Sequence, residues 1–271
     1  MNAIADAARR LTQVSDTPLL DVELLLAHAL GIDRERLLLK PPAEIPAAFE
    51  TLLARREAGE PVAYIIGTRA FWTIDLEITP DVLIPRPDSE TLMDAAVEHF
   101  CGTAGPSRIL DLGTGSGALL LAALDQWPRA TGIGVDRSQA ALAVAQRNAA
   151  RLGMAGRAEF RLGDWADGIT ERFDLILCNP PYVATSAPLG PGIAEHEPRE
   201  ALFAGGDGLD ALRALGPQLP RLLEAGGLAA VEIGFDQAAP AAALLTQGGL
   251  SARLARDLAG RPRALLLTRA S

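Results

Sequence analysis

From Arg108 onward the chain alternates short apolar runs with helical stretches, and this alternation restricts the fold more than any other feature. Residues 109–112 read as a short strand, 118–126 as a helix, 132–135 as a second strand and 139–152 as a second helix. Residues 158–162 and 173–178 give third and fourth strands. A helix near 209–223, a strand over 228–233, a helix near 238–245 and late strands near Arg253 and over 264–268 complete the pattern. Parallel strands need long crossovers and the helices supply them, so the spacing predicts an α/β fold on a parallel sheet.

The first 58 residues are helical in pattern. Leu19, Leu20, Val22, Leu24, Leu25, Leu26 and Leu30 recur at helix spacing between Pro18 and Gly31, and Pro41, Pro42 and Pro46 punctuate before a helix over 47–56. Residues 62–84 change character: Phe71, Trp72, Thr73, Ile74, Leu76 and Ile78 bring aromatic and β-branched residues in partial alternation, which reads as a hairpin or extended linker. Ile84-Pro85-Arg86-Pro87 then keeps the backbone extended before a helix over 90–100. The expected division is a small helical domain over 1–60, a hairpin linker over 61–85 and an α/β domain over 86–271.

Asp111-Leu112-Gly113-Thr114-Gly115-Ser116-Gly117 follows the first strand of the α/β domain and opens its first helix. Glycines there let the backbone turn sharply and approach a ligand. Asp136 ends the next strand, where its carboxylate can accept both hydroxyls of a ribose. The spacing is GxGxG with Ala118 next, not the dinucleotide GxGxxG. A carboxylate at Asp111 would oppose a pyrophosphate and suits a cofactor carrying an ammonium and a sulfonium, so S-adenosylmethionine is favoured over a dinucleotide. Asp164 and Trp165 follow the third strand; Asp164 fits an adenine amino group or a helix cap, and Trp165 an adenine face or the core.

Asn179-Pro180-Pro181-Tyr182 follows the fourth strand directly. Two prolines fix φ and remove two backbone donors, leaving a rigid patch of acceptors beside an aromatic ring. An amide nitrogen is a poor nucleophile because its lone pair is delocalised. Accepting its N–H bonds, at Asn179 Oδ1 and the Pro180 carbonyl, orients it and stabilises the positive charge that grows during methyl transfer. The expected substrate group is therefore an NH2 on a planar system.

The net charge of −9 lowers the prior for phosphate-backbone contacts, so no direct nucleic-acid partner is expected. Cys101 and Cys178 belong to no paired or His-rich cluster, so no metal site is expected. Asp6, Arg9 and Arg10 break any signal-peptide core, and no long charge-free apolar run is present, so a cytoplasmic, membrane-free protein is expected.

Taken with Gly59-Glu60-Pro61-Val62-Ala63-Tyr64, Phe71-Trp72, Leu83-Ile84-Pro85-Arg86-Pro87-Asp88-Ser89-Glu90, Asn148, Glu197-Pro198, Ala201-Leu202, residues 205–210 and Gly226-Gly227, these motifs cover nearly the whole chain. They resemble the HemK/PrmC family of protein-(glutamine-N5) methyltransferases acting on release factors. The resemblance implies a Rossmann-like class I methyltransferase with a seven-stranded, mostly parallel sheet whose last strand is antiparallel, a helical N-terminal domain that helps grip the protein substrate, and a β-hairpin linker. It implies S-adenosyl-L-methionine as cofactor, bound by Gly113, Thr114, Gly115, Ser116, Gly117, Asp136, Trp165 and Asn179, with Asn179, Pro180, Pro181 and Tyr182 also holding the glutamine of a Gly-Gly-Gln loop in class I peptide chain release factors. A monomer is expected. The NPPY patch alone is shared with adenine-N6 and guanine-N2 nucleic-acid methyltransferases, which remain the alternative. Asp111, Asp164, Arg86 and Glu90 are further candidates, with Arg86 read rather as an ion-pair partner of Asp88 or Glu90. His28, His99 and His196 are not assigned as bases.

Overall fold

The computed structural model describes residues 3–40, 42, 44–190 and 192–269; of the prolines noted above, Pro41 lies outside the described residues. The chain forms two compact units, one of residues 1–68 with 188–197, the other of residues 69–187 with 198–271.

The first unit is helical: α1 (Ala3–Arg10), α2 (Pro18–Leu30), α3 (Arg34–Leu39), α4 (Ala47–Glu57) and α5 (Val62–Ile66). Leu11, Val22, Leu25, Leu26, Leu37, Phe49, Leu53 and Ile65 bury one common core. Arg56 closes it through a buried ion pair with Asp21 at 2.8 Å. Helix α5 replaces the extended chain expected at its position. An unbroken apolar run fits either period; here Pro61 starts a helix and Gly67, in the left-handed region at φ 76°, ends it.

The second unit opens with a hairpin, β1 (Thr68–Phe71) and β2 (Ile74–Glu77), followed by α6 (Glu90–His99), β3 (Arg108–Leu112), α7 (Ala118–Gln126), β4 (Thr131–Asp136), α8 (Gln139–Arg151), β5 (Ala158–Leu162) and β6 (Phe173–Cys178). After a short helix α9 (Ile193–His196), which belongs to the first unit, come α10 (Asp210–Leu215), α11 (Leu219–Leu222), β7 (Leu223–Glu232), α12 (Ala238–Leu245), β8 (Leu250–Arg256) and β9 (Pro262–Arg269). The single helix expected over 209–223 is two short ones, broken at Gly216-Pro217, where a Cβ on Gly216 would stand 2.7 Å from the Leu244 carbonyl.

Seven strands form one sheet in the order β5-β4-β3-β6-β7-β9-β8. Pairings from β5 through β7 are parallel, and β9 runs antiparallel to both its neighbours. The chain winds outward from β3 to β5, then returns to β6 on the other side, so the switch point falls between β3 and β6. Open α/β sheets bind ligands in the crevice beyond the carboxyl ends of the strands at such a point. Buried Asn148 of α8 fastens the hairpin to this edge: its Oδ1 accepts from the Glu77 amide at 2.7 Å, and its Nδ2 donates to the carbonyls of Glu77 and Ser116, each at 3.0 Å. Among the described residues no helix is long and apolar enough to cross a membrane.

Candidate active site

A cavity of about 330 Å³ lies at the switch point, within the range of small-ligand sites. Its wall draws on Gly113 and Gly115 after β3, Asp136 at the end of β4 and Ser138 after it, Asp164 and Trp165 after β5, and Asn179 and Pro181 after β6. Pro80–Leu83 from the segment behind the hairpin, Arg137 beside Asp136, and Pro198, Glu200 and Ala201 also contribute to it.

The glycine loop folds back on β4: the Gly113 and Thr114 amides both donate to the Val135 carbonyl, at 2.9 and 3.0 Å. Gly115 sits at φ 54°, and a Cβ built on it meets nothing within 4 Å, so its backbone faces open space. Gly117 has a different task. At φ 83° it opens α7, and a Cβ there would come within 3.0 Å of Leu121 and 3.3 Å of Ala145.

Asp136 accepts one amide on each carboxylate oxygen, Gly115 N–H on Oδ2 and Ser138 N–H on Oδ1, both at 2.9 Å. A carboxylate has about four acceptor positions, so each oxygen keeps capacity for a hydroxyl from the cavity. Trp165 holds a left-handed φ of 51°, which a bulky residue adopts only when its surroundings impose it. Here Gln218 accepts the Ala166 amide at 3.1 Å, and Arg221 donates to the carbonyls of Ala166 and Ile169. The Trp165 ring, the Gly113 backbone and the Asn179 carbonyl converge, the ring and the carbonyl lying 3.8 and 4.0 Å from where a Gly113 Cβ would stand.

Asn179 is partly buried, and its Nδ2 donates to Ser89 Oγ at 3.0 Å. Ser89 Oγ in turn donates to Glu232 Oε2 at 2.5 Å, wholly inside the protein. Burial pushes the Glu232 carboxyl up to about 7, against the pull of its Ser89 bond and of Arg263. Burial, and then the nearby Glu232 charge, drive the Tyr182 phenol well above its ordinary range, so it stays neutral and serves no proton abstraction. The main chain beyond Pro181 is braced as well: Gln237 Nε2 donates to the Tyr182 carbonyl at 3.0 Å, and Val183 bridges to Phe203.

The remaining candidates stand away from the cavity wall. Pro180 is buried behind it, and Tyr182 is partly buried beside Glu232. Thr114 and Ser116 are buried: Thr114 Oγ1 donates to Asp111 Oδ2 at 2.6 Å, and the Ser116 carbonyl accepts from Asn148. Asp111 lies beneath the loop, where Oδ2 also accepts the Leu120 amide at 3.3 Å and Oδ1 has no partner among the described residues. Glu90 Oε1 accepts the Trp72 amide at 2.9 Å, tying the hairpin turn to α6. Asp88 pairs with Arg263 at 2.9 Å, so the ion pair expected for Asp88 is made by another arginine. Arg86 is partly buried, and its charge reaches Tyr182 and Arg69. His28 lies on the outer part of α2, His99 contacts the Gly226 carbonyl at 2.9 Å, and His196 lies in the helical unit. Ser89, Glu232 and Gln237 were not singled out as site residues from sequence; Ser89 and Glu232 carry no local motif beyond the run that contains Ser89.

Asp111 makes a testable contribution to stability. Burial raises its pKa from 3.8 to about 7, so the folded state holds the proton more tightly than the unfolded chain. Its contribution to stability is therefore greatest below about pH 4 and is lost as pH rises towards 7. Asn at this position accepts the same Thr114 and Leu120 bonds without a charge. The melting temperature of Asp111→Asn relative to wild type should rise between about pH 5 and pH 8; a constant difference would remove Asp111 as a buried ionising group.

The fold, with a glycine loop, an acidic strand end and an acceptor patch around one cavity, is that of an S-adenosylmethionine-dependent methyltransferase, and the model of the Methyltransferase domain family matches residues 106–237. The PrmC N-terminal domain model matches residues 2–67. The chain belongs to the release factor glutamine methyltransferase family: it is 45% identical over 261 residues to the release factor glutamine methyltransferase of Rhodospirillum rubrum, covering 94% of this chain and 80% of that one. It is 44% identical over 270 residues to that of Cereibacter sphaeroides, covering 97% and 95%. A solved methyltransferase from Pyrococcus furiosus shares the fold at a TM-score of 0.55 and 16% identity, over 83% of this chain and 100% of that one.

Proposed function

We propose that this protein transfers the methyl group of S-adenosyl-L-methionine to the side-chain amide nitrogen, N5, of the glutamine in the Gly-Gly-Gln loop of class I release factors. The observation that carries this reading is the orientation of Asn179. Its NH2 is committed to Ser89, so the side chain presents Oδ1, an acceptor, to a substrate amide. Pro180 and Pro181 have no N–H, so their own backbone offers carbonyls only.

The residues around the cavity fit the cofactor. Asp136 has acceptor capacity for ribose hydroxyls, Trp165 offers a face for adenine, and Gly115 leaves room for close approach. When bound, the cofactor supplies a methyl group made electrophilic by its sulfonium. Asn179 Oδ1 accepts an N–H bond of the glutamine amide, holding the nitrogen in line and stabilising its growing positive charge. The methylated nitrogen then sheds a proton to water, because an N-alkylated amide cation is a strong acid. A protein base is unnecessary, which accords with the neutral Tyr182. The helical unit serves to grip the protein substrate. A monomer acting in the cytoplasm, where release factors work, completes the reading.

The test is transfer of labelled methyl to a purified release factor, with mass mapping of the product. Label should appear on the loop glutamine and vanish when that glutamine is alanine. Duplex DNA, ribosomal RNA and tRNA should remain unlabelled; labelling of one of these, with none on release factor, would assign the same patch to nucleic-acid amino groups.

A further inference from the structure

We propose that Ser89 and Glu232 are positioning residues that fix which way the Asn179 amide faces and strengthen its oxygen as an acceptor. The inference rests on the reading of Asn179 as the substrate acceptor and deepens it.

An asparagine amide has an acceptor end and a donor end of nearly equal size, and a rotation of about 180° around its last bond exchanges them. A patch that must accept N–H bonds therefore needs something to forbid the flipped state. The Asn179 Nδ2 → Ser89 Oγ contact of 3.0 Å does this only if Ser89 acts as acceptor. A hydroxyl rotates freely and could as well donate. Glu232 removes that freedom: Ser89 Oγ gives its proton to Glu232 Oε2 at 2.5 Å, so the lone pairs of Ser89 are what Asn179 meets. In the flipped state Asn179 Oδ1 would face those lone pairs and lose its donor.

The chain Asn179 N–H, Ser89 O–H, Glu232 carboxylate runs in one direction and ends on a charge, inside a medium of low dielectric. Hydrogen bonds in such a chain polarise one another. Drawing on the Asn179 N–H shifts amide electron density onto Oδ1, the atom that faces a substrate nitrogen becoming positive. No proton needs to move. The groups around Glu232 set its charge: Arg263 of β9 and a hydrogen bond from the Tyr182 hydroxyl favour its ionised form, Asp88 opposes it, and the buried Cys178 of β6 lies within its field. Arg263 is itself held between Asp88 and Asp257, at 2.9 and 3.1 Å.

The variants Ser89→Ala, Ser89→Thr and Glu232→Gln of the full chain separate this from a structural role. Single-turnover methyl transfer to release factor, at saturating cofactor, should fall roughly 10- to 100-fold in Ser89→Ala and Glu232→Gln. Ser89→Thr, which keeps the hydroxyl, should stay near wild type. Calorimetric affinity for the demethylated cofactor and the melting temperature should hold in all three. The wild-type rate should fall as pH drops through about 7, and Glu232→Gln should lose that titration. A second readout needs no substrate: the side-chain NH2 of Asn179, seen by nitrogen-15 NMR, should exchange slowly and titrate with Glu232 in wild type, and should exchange fast in Ser89→Ala. Wild-type rates and pH profile in Glu232→Gln, or rate losses matched by equal losses of cofactor affinity and melting temperature, would overturn the proposal. If wild type leaves release factor unlabelled, the substrate reading fails on its own, and the NMR titration still decides the relay.

Discussion

Asn179→Ala should lower the single-turnover rate by roughly 10²–10³, the cost of removing one preorganised acceptor from a transition state, which is about 2.7–4 kcal/mol. Cofactor affinity should change far less, because Asp136 and Trp165, the residues proposed to hold the cofactor, line the cavity independently of the amide. Asn179→Asp is the more searching variant. From shape alone a carboxylate is a fair replacement for the acceptor. Yet its second oxygen faces Ser89 Oγ, whose proton is directed at Glu232. The network accommodates the introduced carboxylate only by reversing: Glu232 takes up a proton and donates to Ser89, and Ser89 donates to the substituted side chain. The rate of Asn179→Asp should therefore rise as pH falls, opposite in sign to wild type. Equal rates for Ala and wild type would make Asn179 an ordinary turn residue.

Asp136→Ala should weaken cofactor binding, measured by calorimetry, at least about tenfold. Each hydrogen bond to a charged group is worth roughly 1.5–3 kcal/mol, and both ribose hydroxyls are at stake. Asp136 also ties down the Gly115 and Ser138 amides, so alanine releases the loop as well as the ligand. Asp136→Asn separates these effects, since its one oxygen can hold either Gly115 or Ser138 but not both. Unchanged affinity in Asp136→Ala would remove this carboxylate from the site. Turnover at saturating cofactor should survive better than in Asn179→Ala, which divides the two residues between binding and chemistry.

The meeting of these residues at one cavity was legible in the sequence because each of them is placed locally. A parallel strand delivers its last residues to one sheet edge, so Gly113, Asp136, Trp165 and Asn179, each at or just beyond a strand end, had to meet once the strands were recognised. Chain order also carried the element types, from α2 to the final strand. Two kinds of detail were not legible from spacing. The 62–66 run fits helix and strand templates alike, and Pro61 and Gly67 decide it through the backbone they impose. Which side of a loop a residue faces is likewise undetermined by spacing, so Thr114 and Ser116 read as ligand contacts although they point into the protein.

The amino-acid sequence by itself determined the sheet, the cavity's place at the β3–β6 switch and the absence of backbone donors at Pro180 and Pro181, because these follow from periodicity and from proline's missing N–H. Only the tertiary structure decided which end of the Asn179 amide is free. That depends on Ser89, 90 residues away in sequence, and on Glu232, 143 residues beyond Ser89. Hydrogen bonds over such separations leave no periodic trace in the chain; they exist only after packing has brought the 87–89 turn and the end of β7 behind the acceptor patch.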